Sequence, residues 1–547
     1  MTEQTLHLSI SGMTCEGCAE TIANQFNGKK GVLDKSVSYP DELAEITFDP
    51  GKITREEIID TINATGQYQV TGEIDAVENG QGRYSVIIVG GGSTAFAAAI
   101  RASELGGTAL IINKGLPTGG TCVNVGCVPS KTLIRAAEAH HRAAHPGFEG
   151  IETQSRITSF KKIIEQKRSL VADLRQQKYI DVIKDDPNIT LLEERGKLVD
   201  EHTVEAGGES YLADNILIAT GASTFVPEVS GLQEAGYLTN ETAYELEKLP
   251  GHLVVFGGGY IALENAQLFA RLGSKVTIIQ RSAHVLSGQP EELAQALTTY
   301  LEAEGITVLT NTDVQRVLST GEEKKVKLTV DGKKTTLKAT HLLVATGRQG
   351  NTENVGLENV GIATQGRSYL PVDETMRTSV PNIFAAGDVT GKYQFVYTAA
   401  YEGNLAAENA LRGSSRKTDY SVLPWVIFTD PQVAGIGMDE IQAKEAGITF
   451  DTTTLSLEHV PRSIAARDTR GFIKLIRNKE NDLLVGARIL APEGSELLME
   501  LAMAMRHGVT VKSLTREFHP YLTLSEGIKL AALTFDKDVK KLSCCAV

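Results

Sequence analysis

Leu6, Leu8 and Ile10 alternate with polar neighbours, so residues 5–11 predict a half-buried β-strand. A helix is expected from the following loop to about residue 26, and residues 32–39 and 43–48 read as two further strands. Thr54, with Glu57 three positions on, carries the pattern of an N-cap and capping box for a second helix ending near residue 64. Residues 68–74 supply a last strand. This βαββαβ order predicts a small ferredoxin-like domain over residues 1–74. The next segment, 75–83 (DAVENGQGR), is polar and glycine-containing and reads as a flexible linker.

From residue 84 the apolar runs become continuous. A strand at 84–89 leads into GGGSTA and a helix, and a second strand at 253–256 leads into GGGYIALE and a helix. Both are GxGxxA in strand–turn–helix context, the fingerprint of a dinucleotide site. Gly90 and Gly257 make the tight turns, Gly92 and Gly259 admit a pyrophosphate, and Ala95 and Ala262 let each helix lie close. The fold class expected is α/β with two Rossmann-like nucleotide-binding domains. Residues 191–218 alternate as a small β meander. Residues 132–145 read as helix, and His140 and His141 there diverge by about 100°, which favours a solvated face over joint chelation.

Composition narrows the class. A chain of 547 residues is too long for one core, and a hydrophobic fraction of 41% is ordinary for a soluble protein. The net charge of -14 disfavours nucleic acid or an anionic membrane surface as general partners. No signal peptide and no membrane-spanning apolar run stand out, so a cytoplasmic location without membrane insertion is expected. The six cysteines fall in close pairs, Cys15/Cys18, Cys122/Cys127 and Cys544/Cys545. In a reducing compartment such pairs point to metal binding or redox work more than to structural staples.

Residues 119–131 read GGTCVNVGCVPSK, placing Cys122 and Cys127 at the expected start of a helix that carries Lys131. Unpaired N–H groups and the macrodipole stabilise thiolate there, so the dithiol can cycle with a disulfide. The bland alternative is a structural disulfide or a buried thiol pair. This stretch resembles the redox motif of the flavin-dependent pyridine nucleotide–disulfide oxidoreductases, and the resemblance covers nearly everything after Arg83. It implies that Cys122 is the interchange thiol, that Cys127 lies against the flavin of FAD, and that Lys131, held by Glu264, sits near the ring. It further implies that Tyr260 covers the nicotinamide pocket, that backbone near Leu198 meets the adenine, and that Asp388 binds the ribityl chain with Val396 close to the flavin. Gly115 and Thr121 join the cofactor-binding candidates. The family's usual acid at the end of the second strand is Asn113 here, which can bond a ribose hydroxyl only without charge assistance. After the strand at 275–279, Gln280 stands where an acid would select NAD, and Arg281 suits the 2′-phosphate of NADPH, unless it is a plain surface arginine.

The family pattern divides the chain into an FAD domain (84–221), an NADPH domain (222–348), a central FAD-binding part (349–422), an α+β dimerisation domain (423–542) and a cysteine-containing tail (543–547). It implies a homodimer with shared active sites. At the N-terminus, GMTCEGC resembles the heavy-metal-associated domain, whose soft thiolates at Cys15 and Cys18 suit Cu(I), Hg(II) or Zn(II). The alternative is a thioredoxin-like redox pair.

Residues 519–526 (HPYLTLSE) bear on the substrate. Disulfide-reducing members of the family carry a histidine that protonates the departing thiolate. Aligned on Thr523–Glu526, Tyr521 occupies that position and His519 stands two residues too early, unless a shifted register makes His519 the catalytic group. A phenol is a poor acid–base catalyst at neutral pH but can orient beside a soft cation. With the tail pair Cys544–Cys545, the resemblance is to the members that reduce Hg(II) to Hg(0), taking Hg(II)–thiol complexes and possible deliveries from an importer as input. Two alternatives stay open: a glutathione- or dihydrolipoamide-type disulfide reductase with an added metal domain, and a non-catalytic metal-sequestering protein. The tail also fits a loose prenylation box at Cys544.

Overall fold

A computed structural model describes residues 4–39, 43–74, 83–321 and 323–539. Most of the 75–83 linker and the Cys544–Cys545 tail lie outside the described residues. Two compact units make up the chain: Met1–Asn124, Ala172–Ser223 and Arg348–Thr418 form one, and Val125–Val171, Thr224–Gly347 and Asp419–Val547 form the other.

In the first unit, the N-terminal sheet is antiparallel, in the order Val32–Ser38, Leu43–Phe48, Gln4–Ser11, Gln69–Ile74. Helices Glu16–Asn24 and Arg55–Asn63 complete the βαββαβ order, and Leu8, Ile10, Ile22, Ile46 and Ile58 form its core. Thr54 and Glu57 make both bonds of the capping box. The larger sheet of this unit runs Ile189–Leu192, Ala109–Ile112, Arg83–Val89, Glu209–Ile218, Thr203–Ala206, Lys197–Leu198, with Ile383–Ala385 also on Glu209–Ile218. Ile189–Leu192 is therefore not part of a meander. It pairs in parallel with Ala109–Ile112, and only the strands from Lys197 onward form the antiparallel excursion. Alternation alone does not separate the two arrangements, because strand partners are chosen by tertiary packing.

The second unit holds a parallel sheet in the order Thr307–Leu309, Lys275–Ile279, His252–Phe256, His341–Val344. A three-stranded antiparallel sheet, Thr312–Thr320, Glu323–Val330 and Lys333–Ala339, accompanies it. Five antiparallel strands make the C-terminal sheet: Trp425–Ile427, Gln432–Gly437, Leu484–Ala491, Phe472–Asn478, Phe450–Ser456. Helices Leu498–Arg506 and Glu526–Leu533 pack on it through Leu498, Leu501, Ile528 and Ala531.

Candidate active site and metal-binding loop

The strand Arg83–Val89 ends at Gly90, whose φ of +130° belongs to the region that favours glycine. A Cβ there would lie 2.2 Å from Ala219 O. Gly92 caps helix Ser93–Glu104, and a Cβ on Gly120 would come within 2.6 Å of Gly92 Cα. Side chains at either position would close the cradle in front of the helix N-terminus, where backbone N–H groups favour a pyrophosphate. Ala95 is fully buried. Asn113 is buried and donates through Nδ2 to Leu116 O at 3.1 Å, so its amide nitrogen is committed to its own turn, which includes Gly115. Thr121 is half-buried on the short helix Gly120–Asn124. Leu198 donates its N–H to Val355 O at 2.7 Å, and its carbonyl accepts Asn359 Nδ2 at 2.7 Å. An adenine contact there must use the remaining carbonyl lone pair or neighbouring backbone.

Asp388 sits on the turn Gly387–Thr390, with Oδ2 3.2 Å from the Arg348 guanidinium. Burial pushes its carboxyl above the usual range, and Arg348 offsets only part of that rise. Glu402 is completely buried and accepts the Gly387 N–H at 2.7 Å. Val396 is the first residue of the 17-residue helix Val396–Arg412, at the end where the macrodipole is positive. The open glycine cradle and this helix start fit a dinucleotide flavin.

The second fingerprint repeats the first. A Cβ on Gly257 would stand 2.3 Å from Ala345 O, whereas one on Gly259 would meet nothing within 4 Å, leaving the start of helix Tyr260–Arg271 accessible. Ala262 is fully buried. Arg281 is exposed, with no ion-pair partner among the described residues. Tyr260 opens the helix, and its ring stacks on Trp425 with centroids 6.1 Å apart and planes at 15°. The Arg488 guanidinium lies 5.6 Å from the Trp425 ring. Burial raises the Tyr260 phenol despite Arg488, so it stays protonated near neutrality.

The two redox cysteines occupy different elements, which corrects the expectation of one shared helix start. Cys127 opens the 18-residue helix Cys127–Ala144, while Cys122 lies on the separate turn of helix Gly120–Asn124. At the end of the first turn Asn124 Nδ2 donates to Pro117 O at 2.9 Å and to Gly120 O at 2.8 Å. Lys131 follows Cys127 by four residues, one helical turn on. Its Nζ meets Glu264 Oε2 at 2.7 Å and lies 4.6 Å from the Phe428 ring centroid. Glu264 Oε1 accepts the Phe428 N–H at 2.9 Å. Beneath them Tyr244 is buried, and burial and the Glu264 charge together push its phenol up.

On the C-terminal loop, His519 Nε2 pairs with Glu500 Oε1 at 2.7 Å, and its side chain is only 7% exposed. Glu526 accepts the Leu522 N–H at 3.2 Å, and Leu522 has a φ of +63°. Tyr521 is 50% exposed between them. The imidazole and the carboxylate of this loop are thus both engaged within their own unit.

In the N-terminal domain, Cys15 caps helix Glu16–Asn24 and its Sγ lies 3.5 Å from Cys18 Sγ. The Thr14 N–H reaches Cys18 Sγ at 3.5 Å, and the Thr14 hydroxyl approaches at 3.6 Å. Led by the Thr14 backbone bond, these contacts lower the Cys18 thiol from 9.0 to about 6, against burial. Cys18 is therefore mostly thiolate at pH 7. Alkylation of the intact protein, mapped to Cys18 by mass spectrometry, is expected to show a midpoint near pH 6. Thr14→Ala should move that midpoint upward without restoring the value of an ordinary thiol, because the backbone bond survives. Among the described residues no group of three or more His, Cys, Asp or Glu side chains could hold a metal ion. The Cys15–Cys18 pair is a two-sulfur site, suited to a soft cation.

Sequence reasoning missed Arg348, Glu402, Trp425 and Phe428. Arg348 was the accessible one, since it closes the 341–348 stretch directly after the ATG of residues 345–347. The others carry no local pattern.

Two dinucleotide cradles with a C-x4-C dithiol define a two-nucleotide oxidoreductase, here preceded by a thiol metal-binding domain. The chain belongs to the pyridine nucleotide-disulphide oxidoreductase family, which residues 84–403 match, with the family's dimerisation domain at 423–532 and a heavy-metal-associated domain at 7–67. It is similar to mercuric reductase from Staphylococcus aureus, 39% identical and covering 100% of each chain. The Lysinibacillus sphaericus mercuric reductase is 41% identical, with 98% of this chain and 99% of that one covered. Among solved structures, the HOCl-induced flavoprotein disulfide reductase RclA from Escherichia coli matches at 30% identity and TM-score 0.75, over 83% of this chain and 100% of that one. Among the described residues, no helix is long and apolar enough to cross a membrane.

Proposed function

We propose that this chain is an NADPH-dependent flavoenzyme that reduces Hg(II) to elemental mercury, acting as a homodimer. The observation that carries this reading is the presence of two cysteine pairs, the Cys122/Cys127 motif and the separate Cys15/Cys18 pair with its sulfurs 3.5 Å apart, while His519, beside the acid–base position, is held by Glu500. Reducing a metal ion needs no protonated leaving thiol. The mercuric reductases that the chain resembles over its full length point to the same substrate.

FAD, when bound, supplies the two-electron chemistry between the nicotinamide and the dithiol. The residues of the chain do the rest. Gly90, Gly92 and Ala95 would admit its pyrophosphate, and Asp388 would hold the ribityl hydroxyls. Gly257, Gly259 and Ala262 would admit NADPH, Arg281 would meet its 2′-phosphate, and Tyr260 would cover the nicotinamide end. Lys131, oriented by Glu264, stabilises negative charge beside the flavin. Cys15 and Cys18 capture Hg(II) from small-thiol complexes or from an importer, in the cytoplasm where thiols stay reduced. Transfer is associative, each incoming thiolate attacking before the old sulfur leaves, as in thiol exchange. Cys544 and Cys545 of the tail hand the ion to Cys122 and Cys127 of the other subunit, where Tyr521 orients it. Hg(II) takes up two electrons, NADPH becomes NADP⁺ and a proton, and Hg(0) leaves because neutral mercury binds thiolate weakly.

The test is NADPH consumption with Hg(II) and excess small thiol, alongside detection of mercury vapour. Stoichiometric vapour supports the reading; brisk turnover of a disulfide without vapour would overturn it. The double variant Cys544→Ala/Cys545→Ala should impair turnover of thiol-complexed Hg(II) while flavin reduction by NADPH stays intact. Equal loss of both would remove the tail's assigned role.

A further inference from the structure

We infer that Phe428 is a positioning residue for Lys131, holding the ammonium in place without neutralising it. The inference rests on the reading of Lys131 as the cation beside the flavin. Three contacts close a triangle. Lys131 Nζ pairs with Glu264 Oε2 at 2.7 Å, Glu264 Oε1 takes the Phe428 N–H at 2.9 Å, and the Phe428 ring centroid lies 4.6 Å from Lys131 Nζ. One residue therefore grips both members of the ion pair, the carboxylate through its backbone and the ammonium through its ring.

The loop that carries Phe428 is itself pinned. It joins strand Trp425–Ile427 to strand Gln432–Gly437 and faces helix Tyr260–Arg271. Glu264, Gln267 and Arg271 are spaced i, i+3 and i+7, so they share one helix face. Gln267 Oε1 accepts the Asp430 N–H at 2.7 Å, and Gln267 Nε2 donates to Asp430 O at 2.8 Å. Arg271 Nη1 donates to Asp430 Oδ2 at 2.9 Å. Gln267, Arg271 and Asp430 are all buried, so moving the loop would strand several polar groups at once.

An aromatic face suits the task. A second carboxylate would cancel the charge of Lys131, whereas a ring quadrupole attracts the ammonium and leaves its positive charge in place. The Lys131 side chain is 33% exposed, so without the ring its long stem would regain rotamers on the open side.

The experiment compares the midpoint potential of the bound flavin in the wild type, Phe428→Leu, Phe428→Tyr, Lys131→Met and the Lys131→Met/Phe428→Leu double variant. Leucine keeps the backbone N–H and the apolar bulk but removes the ring. Phe428→Leu should lower the two-electron potential by about 15–30 mV, equivalent to a 3- to 10-fold change. Phe428→Tyr should match the wild type. In the Lys131→Met background the leucine change should add nothing. A Phe428→Leu potential equal to that of the wild type, or the same shift with and without Lys131, overturns the positioning role. If Lys131→Met alone leaves the potential unchanged, the reading of Lys131 fails instead. Should the leucine variant not retain FAD, Phe428→Met takes its place with the same outcomes.

Discussion

Cys122→Ala is expected to cut Hg(II) turnover by on the order of 10³-fold or more while NADPH still reduces the flavin. A soft cation that settles with two sulfurs needs both thiolates of the pair, and one alone leaves it to the competing small thiol. Cys127 keeps its place at the head of an 18-residue helix when Cys122 is truncated, where the macrodipole favours an anion. Rapid-mixing absorbance of the flavin separates the two half-reactions, and vapour detection reports the second. Cys127→Ala should also stop turnover and additionally remove the thiolate-to-flavin absorbance band. If Cys122→Ala slows flavin reduction as much as mercury release, the variant has damaged the fold and the thiol's role is unsupported.

Asp430→Ala should produce the largest loss of stability, about 3–5 kcal/mol at pH 7, because it breaks a buried ion cluster from one side. Asp430 binds Arg271 at 2.9 Å and Arg470 at 2.9 Å, and Arg271 also meets Glu304 at 2.6 Å. Truncation leaves the two guanidiniums with Glu304, Asp468 and the backbone carbonyl of position 430, one carboxylate short. Burial alone would push the Asp430 carboxyl up, but Arg470 and Arg271 outweigh it and hold the carboxyl below its usual range. For a depressed acid the stabilisation is present above the unfolded value, about 3.9, and is lost as pH falls through the folded one. Denaturant melts should therefore show a wide gap between variant and wild type at pH 7 that narrows below about pH 4. A gap that stays constant down to pH 3 would mean that the loss comes from packing and not from charge.

The nucleotide turns show how much the chain declared in advance. Gly90, Gly92 and Ala95, and their counterparts Gly257, Gly259 and Ala262, were readable because a strand–turn–helix sets backbone conformation among near neighbours, and few residues other than glycine tolerate a φ of +130° or +115°. Thr54 with Glu57, and the Cys15/Cys18 loop, were readable for the same reason: each motif contains its own partners. Resemblance extended this to Lys131 and Glu264, whose pairing spans 133 positions and has no local cause.

What the sequence determined by itself was local geometry and chemical type: two nucleotide turns, a dithiol motif and a paired-cysteine metal loop. Tertiary structure alone decided the partners. Glu500 claims His519, Asn124 bonds back to Pro117, and Phe428 closes on Lys131 and Glu264 together. The physical reason is that backbone conformation is settled over a few bonds, whereas the partner of a side chain is settled by which distant surfaces are buried against each other, a choice written nowhere along the chain in short range.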